Sequence, residues 1–194
     1  MPPDRALALL RRAPFVHLAS TTPEGLPVLR AIDAAVLDDA IAFHGSRKGE
    51  KTLCVGRPAV VAAEELVAHL PSWFLHPEHA CPATTLYRSV QVHGTLQAVE
   101  DPARKAAALE GLMRRWQPEG RYRPIDPEDP YYRKELAGLL VLEVRFERVD
   151  GKEKLLQNKR PDEVRNVVQR LRERNAPGDP GAIAAILEVN RGRL

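Results

Sequence analysis

Six consecutive residues, His44-Gly45-Ser46-Arg47-Lys48-Gly49, carry the clearest chemical signal in this sequence. Two glycines let the backbone approach a ligand closely, Ser46 offers a hydroxyl, and Arg47 and Lys48 place adjacent positive charges at the N-terminus of a short helix expected over Arg47–Val55. That combination suits an anionic phosphate. The alternative is an ordinary turn whose two cations are solvated. The G-x-x-x-x-G-K-S/T spacing of a nucleoside triphosphatase is absent, and a paired strand segment, not a βα unit, precedes the turn.

Other constellations are weaker. His76, Glu78, His79 and Cys81 have metal-ligand chemistry, but they lie in a segment broken by Pro71, Pro77 and Pro82 and lack the helical H-E-x-x-H arrangement, so no metal site is expected. No G-x-S-x-G surrounds any serine, and no G-x-G-x-x-G links a strand to a helix. Cys54 and Cys81 form no C-x-x-C pair and read as thiols of a reducing compartment.

The elements that position the turn follow from the patterning. An amphipathic helix over residues 3–13 precedes a strand over Phe15–Thr21, and T-T-P-E-G is a turn. Leu26–Leu37 and Ala40–His44 read as a hairpin joined at Asp38-Asp39. Ala59–His69 fits a strand better than a helix, because Pro58 and Pro71 bracket a strand-like length. Pro71–Pro82 is irregular.

Thr85–Glu100 alternates most cleanly. Leu86, Val90, Val92, Leu96 and Ala98 share the core face, opposite the polar face of Tyr87, Ser89, Gln91, His93, Thr95 and Gln97. Such a face suits a subunit interface or a ligand wall. Asp101-Pro102 opens a helix with Leu109, Leu112, Met113 and Trp116 as its core stripe; Gln117–Pro130 is a long loop; Leu139–Val149 is a strand with Leu140, Leu142, Val144 and Phe146 inward. Two further helices open at Pro161 and at Asp179-Pro180 and form a hairpin folded back on the barrel or on a partner subunit. About six antiparallel strands without βαβ alternation predict a mainly β, α+β protein with a small closed or split barrel. Residues 1–150 are expected to form it, and 151–194 a C-terminal appendage.

The 194 residues are 44% hydrophobic and 28% charged, values of a globular chain, with no run approaching a membrane span. The start M-P-P-D-R has no signal-peptide order, which predicts a cytoplasmic location. The +3 net charge is concentrated at the end: residues 151–194 hold ten Lys/Arg against six Asp/Glu. Nucleic acid enters only as a contact of those C-terminal helices.

Three segments, F-H-G-S-R-K-G-E-K (43–51), Y-R-S-V-Q-V-H-G-T-L-Q-A-V-E-D (87–101) and V-D-G-K-E-K-L-L-Q-N-K (149–159), together give the chain its family resemblance. It resembles the pyridoxamine 5'-phosphate oxidase-like flavoproteins of the FMN-binding split-barrel fold, and especially the branch with nitroimidazole-resistance proteins. The resemblance implies FMN as cofactor, with Ser46, Arg47 and Lys48 on its phosphate and Lys51 nearby. Arg30, Ala31, Ile32 and Asp33 would lie along the isoalloxazine ring, with Phe43 and His44 at its lower edge. Ser89 would reach the flavin, often of the neighbouring subunit, which implies a homodimer.

The segment after residue 153 is similar to FMN-binding proteins described as negative transcriptional regulators, and this places Lys154, Gln157 and Asn158 towards the flavin. The short hairpin and the missing C-terminal Trp and Arg pattern speak against vitamin-B6 oxidation. The implied activity is an FMN-dependent oxidoreductase passing electrons to a small acceptor such as a nitro compound. The alternatives are a non-catalytic flavin-binding regulator, or a split barrel using haem or a deazaflavin.

Overall fold

Eight strands and five α-helices make up the computed structural model, which describes residues 1–194. The strands are β1 (Val16–Thr21), β2 (Pro27–Ile32), β3 (Ala35–Val36), β4 (Ala40–Gly45), β5 (Pro58–Leu70), β6 (Thr84–Val99), β7 (Leu140–Arg145) and β8 (Arg148–Lys154). The helices are α1 (Pro3–Arg12), α2 (Pro102–Trp116), α3 (Pro130–Gly138), α4 (Pro161–Arg174) and α5 (Asp179–Val189). No helix is long and apolar enough to cross a membrane.

The strand order is β2-β1-β5-β6-β7-β4-β3, with β8 paired to β6, and every pairing with a resolved register is antiparallel. β2 and β3 stand at opposite ends of this path, yet only Asp33 and Ala34 separate them in sequence. Three peptide links span at most roughly 11 Å. The sheet must therefore curl until its two ends nearly meet without pairing, which is a split barrel and agrees with the mainly antiparallel α+β fold expected.

The chain divides into two compact units. One, the barrel unit, comprises Pro2–Ala63 and Val90–Asp150. In it the T-T-P-E-G turn joins β1 to β2: Gly25 sits at φ +85 and its N–H donates to the Thr22 carbonyl at 2.9 Å. This corrects the expected hairpin of Leu26–Leu37 with Ala40–His44. β2 pairs with β1 from Val16↔Ile32 to Thr21↔Pro27, and only the two residues of β3 pair with β4.

Helix α2 starts as expected, with Asp101 accepting from the N–H groups of Ala103 and Arg104 at 3.1 and 3.3 Å. Its buried residues are Lys105, Ala106, Ala108 and Leu112; Leu109 and Met113 are half-buried and Trp116 is exposed, so the helix turns a different stripe inward than the large side chains suggested. The small face of α2 covers the far side of the sheet, where Ala108 packs with Ala42, Val99 and Val141. Under that cover Val141–Val144 are all buried, and at the end of β6 Val99 is buried while Ala98 is exposed. Two-sided burial removes the alternation along β7, and at the end of β6 the inward position shifts from the expected Ala98 to Val99.

Helix α3 lies where no element was expected. Asp129 caps it through the Tyr131 N–H at 2.9 Å, and the buried Lys105 ammonium closes its other end by donating to the Leu136 and Leu139 carbonyls, each at 3.0 Å. The expected single strand Leu139–Val149 is two, β7 and β8.

The other, helical, unit comprises Met1, Glu64–Ser89 and Gly151–Leu194. Leu70, Phe74, Leu86 and Leu155 pack with Val164, Leu171 and Ile186 into its core, so the α4–α5 pair folds onto strands of its own chain. Asn175 (φ 47) and Gly178 (φ 94) turn the linker between the helices. Asp179 holds that linker, accepting from Arg174 Nε at 2.9 Å and from the Ala176 N–H at 2.8 Å. Several C-terminal arginines serve this unit: Arg193 donates to the Gln157 and Lys159 carbonyls, and Arg174 to the His69 carbonyl.

Candidate functional site

The end of β4 runs out at Gly45 into the basic turn, and a five-residue 3₁₀ helix, Glu50–Cys54, follows in place of the helix expected over Arg47–Val55. So short an element has little axial dipole. Attraction for an anion at this turn therefore rests on its side chains and turn N–H groups.

Those side chains are disposed for it. Ser46 Oγ accepts the Lys48 N–H at 3.1 Å, an ST-turn that fixes the loop, and Thr52 Oγ1 donates to the Gly49 carbonyl at 2.7 Å. Arg47 is exposed and anchors only its Nε, on the Gly138 carbonyl at 3.2 Å, so the outer nitrogens of its fork stay available. Lys48 is exposed and Lys51 folds back over the turn: a Cβ added at Gly45 would lie 2.6 Å from Lys51 Nζ. The sole carboxylate of the turn, Glu50, is paired with Arg30 of β2. Arg47, Lys48 and Lys51 have no carboxylate partner.

Arg30, Ala31, Ile32 and Asp33 lie on or just beyond β2, the open edge strand, and the Arg30–Glu50 pair ties that edge to the turn. Arg30, Ala31 and Asp33 are exposed and Ile32 is half-buried. Phe43 is 1% exposed and pairs with Leu142 of β7, so it belongs to the core instead of an open ring edge; His44 is exposed. The Asp33 carboxylate accepts the Trp116 indole N–H at 2.7 Å.

The remaining residues singled out from the sequence fall in the helical unit. Ser89 is half-buried on β6, beside Arg88, which bridges Glu65 and Glu153 at 3.2 and 3.1 Å. Lys154 Nζ donates to Thr84 Oγ1 at 2.5 Å, and Lys154, Asn158, Lys159 and Cys81 line a cavity of about 360 Å³. Gln157 turns its amide back into its own loop, accepting the Leu155 N–H at 2.7 Å and donating to the Glu153 carbonyl at 3.2 Å. In the histidine-rich segment, His76 Nδ1 accepts the Glu78 and His79 N–H groups at 3.2 and 3.1 Å, which commits that nitrogen to the turn.

Three participants were not expected at the site: Glu50, the Gly138 carbonyl and Trp116, the last expected in the core of α2. Asp129-Pro130, the same cap-and-proline signature as Asp101-Pro102, signals α3 and hence the end that presents Gly138. Nothing local signals the Trp116–Asp33 bond, which spans 83 residues.

A basic turn holding three unpaired cations against an open strand edge fits a phosphate-bearing group with a flat body. Among solved structures the chain is similar to the FAD and haem binding protein from Mycobacterium smegmatis, with a TM-score of 0.64 and 23% identity over 79% of this chain and 71% of that one. A flavocytochrome from Azotobacter vinelandii superposes at TM-score 0.63 with 18% identity over 79% of this chain and 67% of that one. A candidate 5-nitroimidazole antibiotic resistance protein from Bacteroides thetaiotaomicron gives 0.57 with 18% identity over 77% and 82% of the two chains. At these identities the likeness is one of fold. A search of curated proteins finds no match. The family model described as pyridoxamine 5'-phosphate oxidase matches residues 2–153, a span that contains the turn, the edge strand and Trp116, and the chain therefore belongs to the pyridoxamine 5'-phosphate oxidase-like family.

Proposed function

We propose that the protein is an FMN-dependent oxidoreductase that acts on a small acceptor such as a nitro compound and works as a homodimer. The observation that carries this reading is the group of three cations, Arg47, Lys48 and Lys51, without carboxylate partners on a turn fixed by Ser46. A phosphate monoester dianion compensates such a group through charge-assisted hydrogen bonds. Bound FMN supplies the electron-transfer chemistry.

The chain's own contribution is binding and orientation. Arg47 and Lys48 neutralise the phosphate, Lys51 closes over it from Gly45, and the open edge of β2 over Arg30–Asp33 offers backbone groups to the polar rim of the ring. His44 and the backbone of Phe43 would border the same ring. Ser89, Lys154, Gln157 and Asn158 are further candidate flavin contacts by family resemblance, and Gln157 must first release its own loop. Phe15, Leu29 and Leu53 are 61%, 61% and 55% exposed in the barrel unit, apolar surface that a second copy would cover.

The test is the absorbance spectrum of the purified protein, followed by FMN titration of the apoprotein. A flavin spectrum with stoichiometric FMN is expected. Arg47→Ala with Lys48→Ala should lose FMN while keeping the parent's circular dichroism, since both side chains are exposed. Turnover is tested with a nitroaromatic acceptor and NAD(P)H. A folded parent protein that neither carries nor takes up FMN refutes the proposal, and a haem or deazaflavin spectrum would redirect it.

A further inference from the structure

A second concavity of the barrel unit does not involve the basic turn. It opens between α1, the β3 region and α2 and encloses about 530 Å³, within the usual range of about 300–1,000 Å³ for small-molecule sites. Its floor is apolar, formed by Ala34, Ala35, Val36 and Leu37. Gly111 lets α2 approach that floor: a Cβ there would sit 2.8 Å from the Ala35 Cβ.

The rim is charged, and unevenly so. Arg115 is held in place by the Ala34 carbonyl at 3.3 Å and by the Ala13 carbonyl, so its charge is fixed there without a carboxylate. Arg11 has no carboxylate partner, and Arg114 is 78% exposed, 3.7 Å from Glu110. Glu110 is engaged by the Tyr122 hydroxyl at 2.9 Å and the Ile125 N–H at 3.5 Å, which dampens its own field. Asp38 also lies on the rim. Three guanidiniums against two carboxylates favour a single negative charge and disfavour a polyanion such as a nucleotide.

We propose that this cavity binds a small organic acid, its carboxylate met by Arg11 and Arg114 and its apolar body laid on the Ala34–Leu37 floor. The cavity shares no lining residue with the turn and strand edge assigned to FMN.

The probe is 1-anilinonaphthalene-8-sulfonate, a monoanion with an apolar body that fluoresces when it leaves water. It is titrated into the purified protein and displaced with octanoate or with neutral octanamide. Octanoate should displace it and octanamide should fail by about tenfold or more in concentration. Arg11→Gln with Arg114→Gln should weaken the probe about tenfold, and Ala107→Phe, on the exposed face of α2 beside the cavity, should block it. FMN content should not change in either variant. The proposal is overturned if the probe does not bind, if octanamide competes as well as octanoate, or if either variant, folded by circular dichroism, binds the probe like the parent.

Discussion

Trp116 and Asp33, 83 residues apart, are joined by an indole-to-carboxylate hydrogen bond of 2.7 Å that ties the last turn of α2 to the connection between β2 and β3. Arg115 reinforces the tie, lying 4.6 Å over the Trp116 ring and donating to the Ala34 carbonyl. Because β2 and β3 are the two ends of the curled sheet, this contact pins the place where the barrel stays open. Trp116→Phe keeps an aromatic ring, though a smaller one, and removes the bond. It should lower stability by about 1 kcal/mol in urea denaturation, Asp33→Ala should do the same, and the double variant should be no worse than either alone. Fully additive losses would show that the bond contributes nothing.

Glu50 is the one negative group on the cationic turn, and it occupies Arg30. Both side chains are about half exposed, so the pair itself adds little to stability. Glu50→Gln removes repulsion for a phosphate and releases Arg30 towards it. FMN affinity, measured by quenching of flavin fluorescence, should rise about threefold at low salt, with the gain shrinking as salt screens it. An unchanged or weaker affinity would place the phosphate elsewhere.

Gly94 is fixed by the strand beside it. A Cβ there would meet the Arg145 carbonyl oxygen at 2.1 Å and a Val144 methyl at 3.0 Å, and the oxygen belongs to backbone that cannot swing away. Gly94→Ala should destabilise the protein by about 2–3 kcal/mol, read as a lowered denaturation midpoint or a loss of soluble yield. A variant that melts with the parent would contradict this packing.

Asp179 should contribute acid sensitivity to the helical unit. Hydrogen bonding from Arg174, aided by the Ala176 N–H, holds its carboxyl below the ordinary aspartate range although burial opposes this. A carboxyl depressed in the folded state adds stability above its unfolded value of about 3.9, and that stability is lost as pH falls through the lower folded value. Between about pH 6 and about pH 3 the parent should therefore lose more stability than Asp179→Asn. Parallel pH profiles would exclude this contribution.

Local chemistry was legible in the sequence wherever a few neighbouring residues decide the outcome. Gly25 in a turn, the aspartate-proline starts of α2 and α5, the alternation of Thr85–Leu96 and the cations of 46–51 are of this kind, because caps, turns and pleats act over a few residues. Tertiary structure alone decided which strand β2 pairs with, since a strand's edge carries no address and only the curl of the whole sheet sets its neighbour. It also decided which side of α2 faces in. Ala108 packs on Ala42, Val99 and Val141, Lys105 bonds the end of α3, and Trp116 lies outside, bonded to Asp33.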